Sequence, residues 1–474
     1  MMQRLGRSQY LGYAAGDAAN NLSFSMVTSF LILYYTDVIG AEAAAIATLI
    51  FVVRFWDALA DLFAGQLVDK TMTRWGKFRP FFLFGSAPLL VSSIVCFSVP
   101  SSLSMGQKML WAYGSYALMG LLYSLVNIPY GSLAAAMTQV SAERAKLAAF
   151  RVGGSTATML LIAVVVSPQV QSNKGNAPGL QHALTTTTLA FGVFGLALYA
   201  LLFRTAKEQV QRTSPSVRLR ESIRVAAKNG PLLLLCGSSL LFLTAMFLGQ
   251  ALGVYYARDV LGNANYFIYL SLTGSLCVVL ASTTIPFVVR TIGKKHGYLA
   301  FGAIALVGGL ILWQAPTPRL WAGESGSLGA IVMPLIGWAV YNLGVGGVNT
   351  LMWALEADTV EYGEWRTDKR IEGLTYSMFS FTRKMGQAIG GSIGVAALGI
   401  FAYNKDALTQ LPHGSQTEQT INGVKMGIGL LPAGVIVLAC VAMAFYRLTD
   451  TRFAEIMSEL SARRAARAER TPAG

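Results

Sequence analysis

Residues 43–69 read AAAIATLIFVVRFWDALADLFAGQLVD. The run is apolar over most of its length and long enough to cross a bilayer, for which about 20 residues suffice. It nevertheless carries Asp57 and Asp61. An ionisable side chain held in hydrocarbon is costly on any scale, which marks both acids as functional candidates. Their i,i+4 spacing puts the two carboxylates on one helix face, a turn apart. Two carboxylates in one dry site do not both ionise cheaply; they either share a proton or trap a cation. A coupling-ion site has that property, because its charge depends on occupancy. A structural role is also open for Asp61, which either starts the polar end of the span or pairs with Arg54.

The rest of the chain repeats this pattern. Of 474 residues, 54% are hydrophobic and 13% charged, whereas a soluble domain carries roughly 25% charge. The bilayer is the solvent that suits such a composition. Apolar runs of spanning length predict helices near 10–36, 43–69, 79–99, 107–137, 145–167 and 182–204, then 231–257, 266–290, 297–314, 327–358, 373–403 and 422–447. The expected fold is an all-α integral membrane protein with twelve transmembrane helices in two pseudo-symmetric halves. Residues 1–204 and 230–447 form those halves, 205–229 a polar cytoplasmic linker, and 448–474 a cytoplasmic tail. The first apolar segment lacks an A-x-A-type cleavage site and is expected to be the first span rather than a signal peptide.

The formal net charge of +14 follows from topology rather than from a nucleic-acid partner. Lys70, Arg74, Lys77 and Arg79, then Arg144 and Lys146, then Lys294 and Lys295, fall in even-numbered loops. The odd-numbered loops carry far fewer bases. The positive-inside rule then places both termini in the cytoplasm. Four scattered cysteines and three scattered histidines offer neither a disulfide framework nor a metal set. No nucleophile–base constellation suggests an enzyme.

Further charges lie inside apolar helices. Asp17 sits in helix 1, Arg151 at the start of helix 5 and Lys384 in helix 11. Either base is suited to neutralise the helix 1 and 2 acids, arginine bidentately; the alternative is snorkelling to the interface, for which Arg383 is the stronger candidate. Asn20, Asn21, Asn127, Gln250, Asn342, Asn349 and Gln387 are amides in apolar context, able to bind sugar hydroxyls or to glue helices together. Tyr130, Trp353 and Tyr376, like Trp56 and Tyr123, either stack on a sugar ring or pack. Asp69, Arg74 and Lys77 in loop 2–3, and Asp358 and Glu361 in loop 10–11, form mixed-charge clusters that suit gating pairs or solvated loops. The segments 126–133 and 348–355 resemble each other weakly, as expected of transporter repeats.

Several of these motifs resemble a known family. Tyr34-Tyr35-Thr36-Asp37-Val38, Asp57-x3-Asp61, Arg74-Trp75-Gly76-Lys77-Phe78-Arg79-Pro80, Asn127-Ile128-Pro129-Tyr130-Gly131 and Asp358-Thr359-Val360-Glu361-Tyr362-Gly363-Glu364 are similar to the glycoside–pentoside–hexuronide:cation symporters of the major facilitator superfamily. The stretch from Met352 through Gly391 resembles the glucuronide-carrier branch. The resemblance covers nearly the whole chain. It implies that Asp57 and Asp61, with the hydroxyl of Ser124, bind the coupling cation, that Asp17 and Arg151 contact the sugar, and that Lys384 lies near both. The family's helix 4 acid is Asn127 here, and its cation-pocket amide is Ala60. The first change suits an anionic sugar. The second removes an oxygen ligand that a hard cation needs. The implied activity is proton-coupled glucuronide symport, with sodium as the other candidate ion; another glycoside as cargo, an uncoupled facilitator and a sugar sensor remain open. The implied setting is the bacterial inner membrane, with a small-molecule glycoside and lipid as partners, no cofactor, and a monomeric or loosely oligomeric chain.

Overall fold

In hydrocarbon every backbone amide must find its partner within the chain, which leaves long helices as the available spanning element for these apolar runs. The computed structural model describes residues 5–138, 141–208, 229–316, 328–367, 372–404 and 416–470. The first six helices are α1 (Arg7–Ile39), α2 (Ala43–Lys70), α3 (Arg79–Cys96), α4 (Met105–Met137), α5 (Ser141–Ser172) and α6 (Ala177–Thr205). α7 (Gly230–Val260) follows, then one 49-residue element, Tyr266–Gln314. A continuous helix of that length would run about 74 Å. The element instead breaks at Gly293, whose φ of 80° is non-helical, and divides into α8 (266–292) and α9 (294–314). α10 (Leu328–Thr367), α11 (Glu372–Ile400), α12 (Glu418–Ala444) and a final amphipathic α13 (Asp450–Arg470) complete the chain. The described residues thus hold twelve long helices besides the amphipathic α13, and no strand; one β-bridge joins Thr73 to Gly76.

The helix ends are specified locally. α6 and α7 open alike, with an asparagine N-cap and a proline in the first turn. Asn176 Oδ1 accepts from the Gly179 amide and Asn229 Oδ1 from the Leu232 amide, each at 3.1 Å, satisfying donors that a helix start leaves orphaned. Several helices outrun the apolar template. α10 continues past residue 358 through charged residues to Thr367, because such residues are adequate helix formers and the template stops at the hydrocarbon edge. Of the expected linker 205–229, residues 209–228 lie outside the described residues.

Within the first six helices, α1 packs on α5 and α6, α2 on α4, and α3 on α4 and α6. Within the last six, α7 packs on α11 and α12, and α8–α9 on α10 and α12. The two sets meet where α2 touches α11, α5 touches α8–α9, and α1 touches α7. Phe84, Val193, Phe287 and Ile400 are more than half exposed on the outer surface, a face that only lipid covers cheaply.

Candidate substrate and ion site

The charges of the first half converge where α1, α2, α4 and α5 face the second half. Asp17 on α1 is 4% exposed. Its Oδ1 accepts from Arg151 Nε on α5 at 2.9 Å, and its Oδ2 from Asn21 Nδ2 at 3.0 Å. The Arg151 guanidinium also lies 5.3 Å from the centre of the Tyr130 ring. Tyr130 is itself stacked on Tyr13 and donates to the Tyr13 carbonyl at 2.8 Å. It therefore braces Arg151 while fully buried, and offers no open ring face of the kind a sugar would need.

The helix 2 acids are held apart. Asp57 pairs with Arg54, at 3.5 Å between Nη1 and Oδ2. Its other oxygen is buried with no hydrogen-bond partner among the described residues. That oxygen points at Gly120 on α4, where a Cβ would collide with the carboxylate; glycine is what allows the close approach. Arg54 in turn sits over the rings of Phe24 and Tyr116. Asp61 takes different partners. Ser124 Oγ donates to Asp61 Oδ1 at 2.6 Å, and Lys384 from α11 is ion-paired with Oδ2. The alternative in which Asp61 pairs with Arg54 is thus not the arrangement found.

The remaining candidates divide. Asn21 and Ser25 line a cavity between the halves. Asn20 turns the other way, accepting from the Tyr199 hydroxyl at 2.6 Å, so it ties α1 to α6. Asn127 is half-buried on α4 and makes no side-chain hydrogen bond among the described residues. Trp353 packs edge-on against Phe379, with the Arg383 guanidinium 4.8 Å from its centroid. Arg383 also donates to Asn349 Oδ1 at 2.9 Å. The snorkelling expected of Arg383 is therefore corrected: the side chain is bound between α10 and α11. The Tyr376 and Asp69 side chains lie outside the described residues. Arg74 stacks on its neighbour Trp75. The Lys77 amide donates to Glu208 at 2.9 Å, where the same carboxylate receives the Phe78 amide. Asp358 is buried against Lys294 Nζ at 2.7 Å, while the half-buried Glu361 lies three residues on along α10. Of these loop charges, Asp358 pairs within its own half, with Lys294.

The residue pattern concealed one junction. α1 and α7 both end in a π-helical turn, over Tyr34–Ile39 and Tyr256–Val260. The two ends meet. Arg258 is ion-paired with Asp37 and chelated by Asp259 at 2.9 and 3.0 Å, Tyr403 joins the cluster, and the Thr36 and Tyr255 hydroxyls lie 2.8 Å apart. A signal was present in the sequence: Tyr34-Tyr35-Thr36-Asp37-Val38 and Tyr255-Tyr256-Ala257-Arg258-Asp259-Val260 are one repeated ending. Among the described residues no group of three or more His, Cys, Asp or Glu is arranged to hold a metal.

A family model described as MFS/sugar transport protein matches residues 12–450. The chain belongs to that family. It is 41% identical to the glucuronide carrier protein homolog of Escherichia coli (strain K12), over 98% of this chain and 97% of that one. It is 32% identical to the isoprimeverose transporter of Lactiplantibacillus pentosus, over 93% and 88% respectively. Among solved structures it resembles a bacterial homolog of the human lysosomal transporter Spinster, with a TM-score of 0.65 at 12% identity over 94% of this chain and 97% of that one; this likeness speaks for the fold. The protein is therefore a multi-pass membrane transporter of the major facilitator type with a small-molecule substrate, and not an enzyme.

Proposed function

We propose that the transporter is a proton-coupled symporter of glucuronides, working by alternating access between the halves 1–204 and 230–447. The observation that carries this reading is a charge balance. Around the site, Asp17, Asp57 and Asp61 face Arg54, Arg151 and Lys384, three acids against three bases. Bringing a uronate anion into this neutral, half-buried set leaves one uncompensated negative charge, which is expensive there. A proton carried with it restores neutrality.

The geometry supports a route for that coupling. Lys384 is held by Asp61. Protonating Asp61 removes the negative charge that binds the ammonium, and Lys384 is released to join Arg151 in receiving the substrate carboxylate. Asp57, with one buried oxygen unpartnered, is the other carboxylate able to accept the proton. A sodium cage would have the Ser124 hydroxyl beside the two acids but lacks the amide oxygen that Ala60 cannot supply, which weakens it for a hard cation. The carrier homolog and the isoprimeverose transporter support a glycoside-type cargo. On this reading the chain lies in the bacterial inner membrane with both termini and the basic loops cytoplasmic, functions as a monomer or loose oligomer, and needs no cofactor.

The test is uptake into proteoliposomes of a glucuronide and of the matched neutral glycoside. Either an inward proton gradient or an inward sodium gradient is imposed. Accumulation of the glucuronide under the proton gradient alone is expected. Exchange of the neutral glycoside but not the glucuronide would overturn the cargo; accumulation driven by sodium alone would overturn the ion.

A further inference from the structure

Beside the Asp17–Arg151 pair lies a cavity of about 270 Å³, bounded by α1 and α5 on one side and by α7, α8 and α10 on the other. Its size is near the lower end of small-molecule sites, roughly 300–1,000 Å³. No residue lining it carries a formal charge. Asn21 belongs to both regions, since it lines the cavity and hydrogen-bonds Asp17.

The second-half wall is unusual. Gln250 on α7, Ser271 on α8 and Tyr341 on α10 line it, and Gln250 Oε1, Ser271 Oγ and the Tyr341 hydroxyl are buried without a hydrogen-bond partner among the described residues. Buried polar atoms are nearly always paired, and each exception calls for an explanation. Three exceptions from three helices, at one cavity, share one explanation if the side chains turn toward a ligand that supplies the partners. A lipid tail in this space would leave all three unpaired. Trp338 contributes an aromatic face: its indole N–H is engaged by the Leu270 carbonyl at 2.8 Å, and its ring stacks with Tyr341 at a 6.0 Å centroid separation.

We propose that this wall is a second subsite, for a neutral, hydroxyl-bearing ring joined to the transported sugar. An amide oxygen and two hydroxyls provide mixed acceptor and donor capacity without charge, which suits hydroxyls. Trp338, half-buried at the cavity, suits the apolar face of a ring. The charged end at Asp17 and Arg151 holds the sugar acid, and the neutral end reads what is attached to it. This rests on the glycoside reading above.

The experiment measures binding to the purified full chain of two ligand series, methyl and hexosyl glucuronides and methyl and hexosyl glucosides, by calorimetry. Wild type is compared with Ser271→Ala and Tyr341→Phe, both nearly isosteric. In wild type the hexosyl member binds about tenfold more tightly than the methyl member, and in the variants that preference shrinks to about twofold or less with methyl binding unchanged. A wild-type ratio near one, an unchanged ratio in the variants, or equal loss for both members overturns the subsite. Should only the glucosides bind, the uronate reading fails while their ratio still decides the subsite. If neither series binds, both readings fall.

Discussion

Lys384 on α11 is ion-paired with Asp61 on α2, while Ser124 of α4 holds the other oxygen of the same carboxylate at 2.6 Å. One acid thus links the two halves and receives a hydroxyl from its own half. Removing its charge tests coupling directly. Asp61→Asn is expected to reduce gradient-driven accumulation by about tenfold or more while substrate counterflow persists. The double variant Asp61→Asn/Lys384→Gln should express better than Asp61→Asn alone, since no buried base is left unpaired. Wild-type accumulation by Asp61→Asn would sink the assignment.

The contact between Gly120 and Asp57 predicts a loss with no change in charge. A methyl group at position 120 meets the Asp57 carboxylate, whereas a Cβ at Gly114 of the same helix has open space around it. Gly120→Ala should cut active uptake by about tenfold. Gly114→Ala should transport normally and gain about 0.5–1 kcal/mol of stability. Uptake assays and thermal melts of the two proteins separate the effects.

Arg151 offers Asp17 a guanidinium nitrogen and offers Tyr130 a cationic face. Lysine keeps the charge but loses the planar fork. Arg151→Lys is expected to raise KM about tenfold with a smaller change in kcat. Arg151→Ala, which removes the half-exposed partner of a buried Asp17, should cost about 1–3 kcal/mol of stability. Equal melting temperatures for wild type and Arg151→Ala would contradict this account of the pair.

Arg258 is the hub that joins the ends of α1, α7 and α11. Arg258→Ala leaves Asp37 and Asp259 without their cation and weakens closure between the halves on that face. Maleimide labelling of a cysteine introduced as Thr36→Cys should speed up about tenfold in that background, equivalent to about 1.4 kcal/mol of closure. An unchanged labelling rate would show that the cluster does not hold the face shut.

Much of the fold was legible without coordinates. Spanning helices need long apolar runs, and the cost of burying charge leaves the ionisable residues within them conspicuous. Asp17, Asp57, Asp61, Arg151 and Lys384 were all visible for that reason. Arg54 carries the same signal, three residues before Asp57 in the same run, and its partner is Asp57 rather than Asp61. Polar helix extensions, such as the last turns of α10, were illegible because they lie beyond the hydrocarbon that shapes the pattern.

Twelve apolar runs of spanning length, and the charges retained within them, are legible along the chain. Which charge meets which is set by how the helices pack. Successive residues on a helix point about 100° apart, so neighbours serve different surfaces. Lys384 reaches Asp61 on α2 while Arg383 turns to Asn349 on α10; Asn21 serves Asp17 and the cavity while Asn20 turns to Tyr199 on α6. Asp57 and Asp61 share a helix face but find separate cations, Arg54 from their own helix and Lys384 from the other half. Helix rotation and neighbour choice set those pairings, and neither is written in the spacing of the residues along one chain segment.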